Sequence, residues 1–85
     1  MRKTTDTIHR LLLLLNWIPR LPHKVDAATL HARVREAGIE VELRTIQRDL
    51  VNLSRMFPIV NDERFKPLGW SWAQDATIWP TPVAT

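Results

Sequence analysis

Apolar residues recur with helical spacing from the start of the chain. Ile8, Leu11, Leu12, Leu15 and Ile18 fall at i, i+3, i+4, i+7 and i+10, one face of an α-helix. Thr4, Thr5 and Asp6 carry side-chain oxygens that can accept orphan backbone N–H groups, so the spacing predicts a helix over 5–17. Pro19 and Pro22 end it. Leu13, Leu14 and Trp17 lie off the predicted face, and the helix is apolar over more than half its circumference. It is either wrapped on several sides within its own domain or meets another chain.

Asp26 is a good N-cap for a second helix over 27–37, where Leu30, Val34 and Ala37 make a narrow apolar stripe. Gly38 suits the left-handed position just beyond a helix C-terminus. A short connection leads to a third helix over about 43–55, stopped by Pro58. The period then changes. Residues 59–62 read as a short strand and 62–67 as a polar turn. Leu68, Trp70 and Trp72 alternate with Gly69, Ser71 and Ala73, which is strand periodicity. Three helices followed by a small β-hairpin, with a glycine in the tight turn between helices two and three, form the outline of a winged helix-turn-helix, a mainly α fold with one hairpin. Leu12, Leu30, Ile46, Leu50 and Trp70 are its expected core. After Asp75 the chain holds no charged side chain and carries Pro80 and Pro82. The expected division is therefore a domain over 1–74 and a tail or linker over 75–85, in which Trp79 packs onto the domain or onto a neighbour.

The third helix is the informative element. With a residue every 100°, Ile46, Leu50, Leu53 and Phe57 share one face. Arg44, Arg48 and Arg55 lie opposite, within about 40° of one another. Val51 joins that outer face. Thr45 and Asn52 flank one side and Gln47 the other. Guanidinium, amide and hydroxyl groups are those that contact phosphates and base edges in a major groove. Arginine suits the role because its planar fork can bond guanine bidentately. A solvated surface helix also carries charge, but usually of mixed sign, and this stripe holds no acid. Asp49 falls toward the core boundary, where pairing with a basic residue of another helix is its expected role.

The hairpin loop carries Arg64 and Lys66, either of which can reach a phosphate or the minor groove. Asp62 and Glu63 cancel their charge locally. Trp70 and Trp72 lie on one strand face and are expected to close the core beneath the hairpin; a stacking platform for single-stranded nucleic acid is the alternative. Catalysis has no nominated constellation. His9, His23 and His31 lack metal-ligand spacing. His9 has only Asp6 in register, which reads as a charge contact near the helix end. Ser54 and Ser71 lack a base, and no glycine-rich phosphate cradle exists.

Composition narrows the classes. Eighty-five residues with 45% apolar and 25% charged side chains are ordinary for one globular domain. With no cysteine there is no disulfide framework, cysteine zinc site or thiol nucleophile, which suits a reducing cytoplasm. Twelve basic against nine acidic residues give +3, a mild bias that permits a polyanionic partner. The five consecutive leucines fall far short of the ~20 residues a membrane span needs, and Asp6, His9 and Arg10 interrupt any signal-like stretch.

The run Arg44, Thr45, Ile46, Gln47, Arg48, Asp49, Leu50, then Leu53, then Gly69, Trp70, Ser71, Trp72, resembles a known family. It is similar to the N-terminal winged helix-turn-helix of bacterial transcriptional regulators that carry a WYL domain, itself similar to the DeoR-type domain. The resemblance covers about residues 5–75. It implies that Arg44, Thr45, Gln47 and Arg48 touch DNA. It also implies a C-terminal WYL domain that senses a ligand and helps hold two copies together. Nothing in this sequence corresponds to that part, so the chain is expected to be a fragment whose tail begins the connection, with a naturally short protein as the alternative. The sequence departs from the pattern at Glu42, which stands where the family has a capping Ser or Thr. A carboxylate there suits the helix dipole but repels phosphate.

Two functional readings follow. In the first, the chain binds double-stranded DNA sequence-specifically through Arg44, Thr45, Gln47, Arg48, Val51, Asn52 and Arg55, with Arg64 and Lys66 on the wing. It needs no cofactor, works in the cytoplasm at the nucleoid, and acts as a dimer in the intact regulator. In the second, it is a protein-interaction module that uses the leucine-rich first helix.

Overall fold

The computed structural model describes residues 2–64 and 66–74; the tail over 75–85, including Trp79, lies outside the described residues. Three helices, α1 (Arg2–Trp17), α2 (Ala27–Glu36) and α3 (Leu43–Met56), precede a hairpin of β1 (Ile59–Asp62) and β2 (Gly69–Trp72). The fold is a winged helix-turn-helix. The strands are antiparallel, with Ile59 opposite Trp72 and Asp62 opposite Gly69. Helix α1 begins at Arg2, so Thr4, Thr5 and Asp6 lie within its first turns rather than marking its start. Favourable capping side chains do not by themselves set a boundary where the preceding residues also accept helix. Leu68 falls just outside β2 and is exposed.

The turn between α2 and α3 is built by local hydrogen bonds. Asp26 caps α2 by accepting from the Thr29 backbone N–H at 2.8 Å. Thr29 holds the Asp26 carboxyl below its usual range. At the other end Gly38 takes φ +93°. Its N–H bonds Arg35 O at 3.0 Å, and the Ile39 N–H bonds Val34 O at 3.2 Å. That pair is a Schellman motif, and buried Ile39 supplies its apolar contact. Ala37 is the exposed cap residue rather than part of the stripe. His31 Nε2 meets Val41 O at 2.7 Å and ties the connection back to α2.

The core gathers Leu14, Leu15 and Ile18 of the first segment, Leu30 and Val34 of α2, Ile46, Leu50 and Leu53 of α3, and Ile39, Ile59, Trp70 and Trp72. The expected phase of α1 is corrected. Leu12 and Ile8 are 49% and 55% exposed, whereas Leu14 is fully buried. The helix is turned because Arg10 goes inward. Its Nε donates to Asp49 Oδ2 at 2.6 Å and its Nη2 to Oδ1 at 3.2 Å. Both side chains are about nine-tenths covered. Leu11, Leu13 and Trp17 pack partly buried against the core, so the broad apolar face is wrapped within the domain.

Strand β2 is buried along its whole length, although its sequence alternates. The segment joining α1 to α2 covers its second edge. Trp72 N–H donates to Pro19 O and Leu21 N–H to Trp72 O, while Trp70 and Val25 exchange both backbone bonds. Ser71 Oγ donates to His23 O. Trp72 Nε1 reaches Leu15 O at 3.2 Å, and Phe57 meets the Trp72 ring edge-to-face at 5.9 Å. Both tryptophans close the core.

Two stability outcomes follow. Leu50→Ala opens a cavity in a small core and costs ~2–5 kcal/mol, comparable with the ~5 kcal/mol a domain of this size holds in total. Its melting transition is expected to fall steeply or vanish; an unchanged transition would contradict the burial of Leu50. Asp49→Ala strands a buried guanidinium and costs ~3–5 kcal/mol, whereas the double replacement Arg10→Met with Asp49→Leu recovers most of it. Denaturant titration of the single and double variants reads the difference.

Candidate nucleic-acid interface

Helix α3 divides cleanly. Ile46 and Leu50 are fully buried, with Leu53 and Asp49 nearly so. Arg44, Gln47, Arg48, Val51, Asn52 and Arg55 are exposed, and Thr45 is half-buried. These are the residues expected on the outer face, and one helix surface brings them together. Among the described residues no carboxylate pairs with Arg48 or Arg55. Arg44 Nε lies 3.5 Å from Glu42 Oε1, with both side chains more than three-quarters exposed or close to it. A solvated pair of this kind holds its partners loosely. Glu42 is the N-cap residue of α3 but its side chain makes no capping hydrogen bond. The first turn thus keeps its backbone N–H groups uncapped by that side chain, and the Glu42 carboxylate is turned toward Arg44.

The wing differs from a plain basic tip. Arg64 folds onto Asp62 as a fork: Nε to Oδ1 at 2.9 Å and Nη2 to Oδ2 at 3.0 Å. The Arg64 backbone N–H adds a third bond to Oδ1. Lys24 Nζ approaches the same carboxylate at 3.4 Å. The Arg64 hydrogen bonds hold the Asp62 carboxyl far below the usual carboxylate range. Lys66 is exposed on the far side of the turn.

Lys24 was not legible as part of this surface. It stands in a proline-flanked connection with no periodicity, and only the pairing of residues 19–25 with β2 brings it to the wing. Its aliphatic stem crosses Gly69, where a Cβ would sit 2.8 Å from Lys24 Cδ and 3.0 Å from its Cβ. Glycine at 69 therefore leaves room for the lysine to reach Asp62. With Lys24 included, the wing holds three cations against Asp62 and Glu63.

The wing and α3 share one surface. Lys66, Pro67 and Leu68 line a groove together with Gln47 and Val51. Among the described residues no cluster of three or more His, Cys, Asp or Glu could hold a metal ion. Nor, among the described residues, is any helix long and apolar enough to cross a membrane.

No protein-family model matches the chain, and no curated protein or solved structure matches it either.

Proposed function

We propose that this chain binds double-stranded DNA sequence-specifically as the DNA-binding part of a bacterial transcriptional regulator. Helix α3 would lie in the major groove and the wing beside the backbone. One observation carries the reading: Arg44, Arg48 and Arg55 stand on the exposed face of α3, directly opposite its buried residues, with amide and hydroxyl groups beside them and no acid within the stripe. Arg48 and Arg44 are the base or phosphate contacts, Thr45, Gln47 and Asn52 the adaptable polar ones, and Lys66 and Arg64 the wing contacts. The resemblance to WYL-domain regulators adds a setting: a cytoplasmic, nucleoid-associated protein whose effector is sensed by a separate C-terminal domain.

A second reading has its own observation. Ile8 and Leu12 lie one turn apart on the outward side of α1, 55% and 49% exposed, and could meet another protein. Elsewhere on α1, Leu14 is buried in the core and Leu13 and Trp17 pack partly buried against it. Two side chains make a patch far smaller than the ~1,200–2,000 Å² of a stable interface.

Salt-controlled titrations separate the two. DNA affinity falls steeply as salt rises, whereas an apolar contact hardly responds. Arg48→Ala is expected to cost ~1–3 kcal/mol on the preferred duplex and to relax preference at one position if it reads a base. An equal loss on all sequences would mark a phosphate contact. Unchanged affinity for both Arg44→Ala and Arg48→Ala would remove the assignment of α3. In sedimentation at micromolar concentration the chain is expected to run as a monomer or weak dimer. Joining two copies by a linker that spans two half-sites raises affinity ~10²–10⁴-fold. A tight dimer abolished by Leu12→Glu would favour the second reading.

A further inference from the structure

A groove of about 400 Å³ runs between the first turn of α2, the edge of α3 and the wing. Ala28, Leu43, Val51 and Leu68 line it with Gln47 and Lys66. Leu43, Val51 and Leu68 are 37%, 42% and 39% exposed, and Val51 joins the arginine face of α3. Among the described residues its lining contains no carboxylate, and the one charge there is the Lys66 ammonium. A surface that is apolar within and cationic at its border fits an apolar group carried on a polyanion.

We propose that Val51 reads the 5-methyl group of a thymine in the major groove, an assignment that rests on the DNA-binding reading above. Thymine alone among the four bases presents an apolar group on its major-groove edge. The isopropyl group of Val51 has no donor or acceptor. Set against the amino group of cytosine or adenine, it would strip water and return no hydrogen bond. Set against a methyl group it buries apolar surface on both partners. Position supports the same conclusion. Val51 follows Gln47 and Arg48 by four and three residues and precedes Arg55 by four, so these four side chains are neighbours on one helix surface. A thymine at Val51 then lies beside whatever Gln47 and Arg48 contact.

The test starts from duplexes selected out of a random library by the 85-residue chain. Each thymine of the selected duplex is replaced in turn by deoxyuridine, which lacks only the methyl group. One position is expected to lose about fourfold in affinity, the worth of one buried methyl group. Val51→Ala is expected to bind the thymine duplex about as weakly and to be indifferent to deoxyuridine at that position. Because Val51 is exposed, the variant should melt as the parent does. A duplex that binds specifically but is insensitive to deoxyuridine everywhere, or a selected site without thymine, overturns the proposal and leaves DNA binding standing. Retained sensitivity in Val51→Ala overturns the assignment to Val51. Failure to select any duplex overturns the DNA-binding reading, and this inference with it.

Discussion

The ion pair between Arg10 and Asp49 fixes how the helices face one another. Two charges about nine-tenths covered are tolerable only when each satisfies the other, because an unpaired buried charge is far costlier than an unmade neutral hydrogen bond. The bidentate geometry therefore restricts the rotation of α1 and α3 together. Once Arg10 points inward, Leu14 and Ile18 follow on the same side of α1, and Ile8 and Leu12 are turned out. Once Asp49 points inward, Ile46, Leu50 and Leu53 line the core and the arginines face solvent. A buried pair contributes little net stability over an apolar replacement; what it supplies here is phase.

That phase was half legible. On α3, apolar residues alternate with arginines at helical spacing, so both its faces and the inward position of Asp49 could be read from the sequence. On α1 the signal was erased. Five consecutive leucines are apolar in every direction and carry no angular information, and Arg10, which defines the buried side, reads as a surface residue until its partner is known. Leu12 was consequently placed in the core although nearly half of it is exposed. Asp26 and Gly38 marked the ends of α2 because their roles are local. The covering of β2 was hidden for the opposite reason: the backbone groups of residues 19–25 that pair with it leave no trace in side-chain pattern.

The candidate site divides along the same line. The arginine stripe and its polar flanks depend on one helix, and the sequence contained them. The wing depends on residues distant in the chain. Arg64 could be named from sequence, but not its fork onto Asp62, and Lys24 arrives only through the pairing of the α1–α2 connection with β2. Charge at the wing is thus shared among Lys24, Asp62 and Arg64, so Arg64 must loosen one set of bonds before it can make another. Among the described residues no carboxylate pairs with Lys66.

The stitching of residues 19–25 to β2 also orders events in time. Trp72 reaches back 57 residues to the carbonyl of Leu15, and its backbone is paired with Pro19 and Leu21. Contacts this distant in sequence form late, after local helices. On the ribosome, synthesised from the amino end at ~5–20 residues per second, the leucine run of α1 emerges before its cover. For that interval of several seconds the most apolar segment of the chain lacks its cover, and a nascent chain stalled before Trp72 would display it to chaperones and to other nascent copies.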